Sequence, residues 1–169
     1  MPLINDAAFG NAWFVDNVVM VNSPDQEIDE VGKNDLKRSA IIDSKFASQL
    51  ESVNFGKTFN SAISLRSYLP NYLVYDFESD KEQLVVFSEI YYNKGWNAYI
   101  DGEEYPYMRA NYVLRAMVVP AGKHVIEFKF EPRIWVIGET ISFITSLLLI
   151  ILLLAGLGYE AKKYIGSKN

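Results

Sequence analysis

Leu114-Arg115-Ala116-Met117-Val118-Val119-Pro120-Ala121-Gly122-Lys123-His124-Val125-Ile126-Glu127-Phe128-Lys129-Phe130 sets two short apolar runs on either side of a turn signal. The second run alternates between apolar and polar residues, the period-two pattern of a half-buried strand, and Pro120-Ala121-Gly122-Lys123 reads as a hairpin turn. Past Glu131-Pro132 the chain enters Ile134 to Gly158, whose centre, Ile141 to Leu157, carries no charge. A run of that length has no polar face to offer water, so it predicts a single transmembrane helix. The expected layout is a β domain over 1–132, a membrane helix over 133–159 and a short basic tail over 160–169. No flexible linker parts the first two, which predicts a domain held close to the bilayer surface.

The same period continues upstream. Ala62–Tyr68, Tyr72–Phe77, Leu84–Tyr91 and Trp96–Ile100 read as strands, with Leu84–Tyr91 mostly apolar and suited to a central strand buried on both sides. Asp101-Gly102 is a type I′ hairpin signal, because both central positions need positive φ. Nearer the start, Asn17–Asn22 and Arg38–Asp43 suit strands. Between them Ser23 can cap a helix with Pro24 at its first position and acids in its first turn, ending at Gly32. A second short turn is expected over Lys45–Leu50. Seven or eight strands at this spacing predict a mainly β fold, an antiparallel, jelly-roll-like β-sandwich with one or two short helices.

Composition narrows the function classes. The 169 residues carry a net charge of −5 and no basic stripe, which argues against nucleic acid. The chain has no cysteine, so disulfide frameworks and thiolate metal sites are excluded. The first ten residues lack the basic start and apolar stretch of a signal peptide. Trp135 and Tyr159 suit the aromatic belts at the two headgroup regions, and Lys162 and Lys163 follow. The denser lysines after the span lean towards a cytoplasmic C-terminus.

No catalytic constellation emerges. His124 is the only histidine and sits beside a tight turn, with no neighbour in sequence to order it as a base. Glu103 and Glu104 point to opposite faces of a strand and cannot act on one atom. Neither a cofactor nor a metal is implied. Tyr91, Tyr92, Tyr105, Tyr107 and Tyr112 crowd around a more specific set: Trp96, Tyr99, Arg109, Asn111 and Arg115. Aromatic faces and planar polar groups are the ingredients of a sugar site, and an arginine can fork onto phosphate; the same aromatics also build sandwich cores. In the span, Ser142, Thr145 and Ser146 lie one turn apart, suited to packing against another helix or to bonding their own backbone.

Gly10–Val15, Ser88–Gly102, Arg109–Ala116 and Val119–His124, taken in order, resemble the bacterial YfhO-type membrane protein family over essentially the whole chain. Members of that family are large polytopic proteins that look like lipid-linked-sugar glycosyltransferases, with an extracytoplasmic β domain before a last membrane helix. The resemblance implies that this chain is the tail of such a protein in the bacterial cytoplasmic membrane, its β domain outside. The preceding spans and the loop acids expected to do the chemistry are not in these residues, so no catalytic role carries over. The implied role is to position a donor or acceptor while sugar passes from a lipid carrier to a cell-envelope glycan. Its partners would be the bilayer, upstream helices of the parent protein, and a surface glycan or lipid-linked sugar. The alternative is a free-standing tail-anchored adaptor whose sandwich binds a protein partner.

Overall fold

The computed structural model describes residues 8–50 and 60–166, except for the side chains of 133–137 and 159–166. It contains two compact units that meet between Glu131 and Pro132.

The first unit is mainly β. One sheet has the order β1-β6-β10-β9 (Ala12–Val15, Gln83–Ile90, Leu114–Val119, Met108–Ala110) and is antiparallel throughout. The other, also antiparallel, has the order β4-β5-β11-β7-β8 (Ser61–Leu69, Tyr72–Ser79, Gly122–Phe130, Trp96–Ile100, Glu103–Glu104). The two pack face to face through Tyr75, Phe77, Val85, Phe87, Met117, Ile126 and Phe128. Tyr75, Phe87 and Phe128 meet edge to face, with centroids 5.0 to 6.3 Å apart. Each such side chain contributes roughly 1.5–3 kcal/mol by leaving water.

β6 shows why its sequence is apolar on every side. Val85 and Phe87 face the inter-sheet core, whereas Leu84 and Val86 face a second core with Ala40, Ile42, Met108 and Ala116. The four-stranded sheet is therefore a middle layer, as the unbroken run at 84–87 requires. Asp101 and Gly102 take φ of 53° and 87°, as the predicted hairpin turn demands.

Two expectations are corrected. Pro120-Ala121-Gly122-Lys123 does not close a hairpin: β10 pairs with β6 and β9, and β11 with β5 and β7, so the turn carries the chain from one sheet to the other. The alternation on β11 is real, but alternation specifies a buried face and not a pairing partner. Nor is every pair antiparallel. β2 (Asn17–Val21) and β3 (Ser39–Asp43) run parallel. Helix α1 (Pro24–Val31) lies between them in sequence and returns the chain to its starting side, the connection parallel strands need. Ser23 caps α1 by accepting from the Gln26 N–H at 3.2 Å, and Pro24 opens it. A 3-10 helix covers Ser44–Gln49. The short strands β1, β8 and β9 add to those read from the sequence.

The second unit is helix α2, Arg133–Gly166. Within it Gly138–Gly158 has mean hydropathy 2.6. Its 21 residues give a rise of about 32 Å, close to the roughly 30 Å hydrocarbon thickness. Thr145 Oγ1 donates to the Ile141 carbonyl and Ser146 Oγ to that of Ser142, both at 2.8 Å. The expected interface side chains Trp135, Tyr159, Lys162 and Lys163 lie outside the described residues.

Candidate functional site

The five positions singled out from the sequence are dispersed. Arg109, on β9, donates through Nη2 to Glu27 Oε2 at 2.5 Å and lies 3.8 Å from Asp43 Oδ2. Glu27 is fully buried on α1, and its other oxygen accepts from the Tyr112 N–H at 2.9 Å. Asn111 exchanges two bonds with Ile41 of β3, one through its backbone N–H and one through its side-chain oxygen. This carboxylate and this amide hold a turn in which Asn111 and Tyr112 both take positive φ, 50° and 72°, a conformation costly for a tyrosine. Glu27 was legible only as a first-turn acid favoured by the helix dipole.

Arg115 and Trp96 do come together. The Arg115 guanidinium sits 4.3 Å from the Trp96 ring centroid and 4.9 Å from that of Phe128, and its Nε donates to the Ile90 carbonyl at 3.0 Å. Arg115 is buried, and burial pulls its pKa down. Tyr107 donates to the Trp96 carbonyl, and burial pushes its hydroxyl up to about 12. Cation–π contact compensates part of the desolvation of such a cation.

Tyr99 points the other way, onto the outer face of the five-stranded sheet. Its hydroxyl donates to Glu131 at 2.8 Å, which raises its pKa and, with Asn97, lowers that of Glu131. Lys129 Nζ lies 4.6 Å from the Tyr99 ring centroid, 5.6 Å from that of Tyr72 and 3.3 Å from Glu127. Tyr72 donates to Glu127 as well. Along the same face β4, β5 and β11 form an open trough of about 390 Å³. Ala62, Ser64 and Val125 supply a low floor. The Arg66–Asp76 and Lys123–Glu78 ion pairs stand beside it. Fixed carboxylates and cations over small side chains offer acceptors and donors together, which suits a ligand rich in hydroxyls.

His124 is better ordered than its sequence neighbours suggest. Nδ1 is 2.6 Å from Asp101 Oδ2 and Nε2 is 3.2 Å from the Ala121 carbonyl, while the ring stacks on Phe77. Asp101 also accepts from the Val125 N–H at 2.8 Å. The carboxylate raises the His124 pKa, and the imidazole lowers that of Asp101. With both nitrogens facing acceptors, the ring when protonated clamps two turns together and then has no free lone pair for base chemistry. The partner was missed because it lies in the turn between β7 and β8, 23 residues away in the chain. Among the described residues no group of His, Asp and Glu converges to hold a metal ion.

Residues 47–142 match the family described as bacterial membrane protein YfhO. The matched span takes in Ser88–Gly102, Arg109–Ala116 and Val119–His124, but not Gly10–Val15. Neither a curated protein nor a solved structure matches the chain.

Proposed function

This chain belongs to the YfhO family of bacterial membrane proteins, and from that premise we propose that its β domain is a non-catalytic glycan-holding module. It serves sugar transfer from a lipid carrier to a cell-envelope glycan by positioning the donor or the acceptor. The domain works on the outer side of the cytoplasmic membrane, beside upstream helices of the same parent protein. The observation that carries the reading is the trough on the outer sheet face with its two ion pairs, with Tyr72 and Tyr99 farther along the same face around Lys129. A sugar bridging Arg66 and Asp76 gains charge-assisted hydrogen bonds, while tyrosine rings take its C–H faces.

The test is saturation-transfer NMR of the full chain in nanodiscs with oligosaccharides of neutral hexoses and of N-acetylhexosamines. Replacing Arg66 and Asp76 together by alanine removes an exposed pair of little structural weight. The loss of one or two such bonds predicts binding about tenfold weaker. Unchanged affinity in that variant, or no binding by the parent chain at millimolar sugar, overturns the reading.

A further inference from the structure

The two ends of the β domain differ in what they show to solvent. At one end lie the β4–β5 turn, the β6–β7 connection, the β9–β10 turn and the close of β11. Backbone bonds tie them together: Phe130 N–H to the Asn71 carbonyl, Glu131 N–H to that of Gly95, and Tyr91 N–H to that of Val113. This end exposes Tyr68, Leu69, Ile90, Tyr92, Val113 and Phe130, with Ile90 at 70 %. The opposite end is formed by the turns after β5, β7 and β10 and exposes Asp80, Lys81, Asp101, Glu103, Glu104 and Lys123. Among the described residues no large apolar side chain is exposed there.

Isolated exposed leucines or isoleucines need no explanation, but six large apolar or aromatic side chains gathered on adjoining turns do. We propose that this apolar rim docks into the headgroup region of the bilayer. The occupant follows from connectivity. Phe130 closes β11 and α2 begins at Arg133, so Glu131 and Pro132 alone join this end to the membrane helix. That is a reach of about 10 Å at full extension, which keeps the rim near the layer that receives α2. Tyrosines among aliphatic side chains match the chemistry of that layer, where an apolar body enters and a polar tip stays wet. Exposed Lys94, on the β6–β7 connection, adds a cation for anionic headgroups. The acidic far end has no such match. The rim thereby makes the domain a second membrane contact beside the span, and it holds independently of the glycan reading.

The cysteine-free sequence makes the test direct. Ile90→Cys, Leu69→Cys and, as the far-end control, Glu103→Cys each receive a nitroxide label in the full chain. The protein is placed in nanodiscs of phosphatidylethanolamine and phosphatidylglycerol. The ratio of collision with oxygen to collision with a water-soluble nickel chelate is then read by paramagnetic resonance. Docking predicts a ratio several-fold higher at positions 90 and 69 than at 103. A ratio equal to that at 103 for both rim labels overturns the proposal. Low collision with both reagents also overturns it, because that marks burial against protein, either a second copy or another helix. Two rim positions guard against one label disturbing its turn.

Discussion

Replacing Arg109 by alanine should destabilise the β domain more than any other single change in its charge cluster. Glu27 has no solvent exposure, and Arg109 is its cation at 2.5 Å. Without it the carboxylate keeps, among the described residues, the Tyr112 N–H at 2.9 Å. Removing one partner of a buried pair costs about 3–5 kcal/mol. The Arg109 side chain is 22 % exposed, so water reaches the emptied space, and the lower end, about 3 kcal/mol, applies. Unfolding entropy near 2.1 cal/mol/K per residue, over about 130 residues, converts this to a fall in melting midpoint of roughly 11 °C. Glu27→Ala should cost less, because it leaves Arg109 partly solvated and 3.8 Å from Asp43. Replacing both by leucine should recover part of the loss, since no unpaired charge remains buried. The assay is thermal unfolding of the full chain in detergent, followed by tryptophan fluorescence. An Arg109→Ala midpoint within about 2 °C of the parent, or a larger fall for Glu27→Ala, refutes the reasoning. An unchanged midpoint with lost glycan binding would make Arg109 a ligand contact instead.

The His124–Asp101 clamp predicts a pH dependence of both signs. The His124 pKa is raised from 6.5, so its share of stability is complete below that value and is lost as pH rises through the raised one. The Asp101 pKa is lowered from 3.8, so its share is present above that value and is lost as pH falls through the lowered one. Because the Asp101 side chain is half exposed, the effect is below about 1 kcal/mol. His124→Gln should flatten the alkaline limb of melting midpoint against pH, and an unchanged limb assigns it to another group. Gly122→Ala should cost more than Gly102→Ala. At φ of 132° its Cβ would meet His124 Nε2 at 3.0 Å, whereas Gly102, at φ of 87°, opens onto empty space. Roughly 2 against 1 kcal/mol is expected in urea unfolding, and equal losses would leave backbone strain as the whole cause.

Local signals were legible because neighbouring residues generate them. Ser23-Pro24 start a helix through groups within one turn of each other, Asp101-Gly102 accept positive φ by their own sterics, and Ile141–Leu157 lack any polar face. The run Leu84–Tyr91 announced burial on both sides, and the structure supplies the two cores over Leu84–Phe87, while Ser88 and Ile90 are exposed. The candidate site was less legible. Trp96, Tyr99, Arg109, Asn111 and Arg115 lie close in sequence, yet adjacent strand residues face opposite ways and β7, β9 and β10 belong to two sheets. Proximity in sequence therefore became proximity in space only in part: Trp96 meets Arg115, Arg109 and Asn111 brace one turn, and Tyr99 faces away from both. The trough residues Arg66, Asp76 and Lys123 meet only because β4, β5 and β11 pair.

The amino-acid sequence by itself determined a β domain, a capped short helix and a long apolar helix, because periodicity, turn chemistry and hydropathy act over a few residues. Only the tertiary structure decided that Pro120–Lys123 crosses between sheets and that β2 and β3 run parallel. It also decided that Glu27 answers Arg109 and that Asp101 orders His124. Each of these pairs residues far apart in the chain, and their partners are chosen by which buried faces and charges the whole domain must satisfy at once.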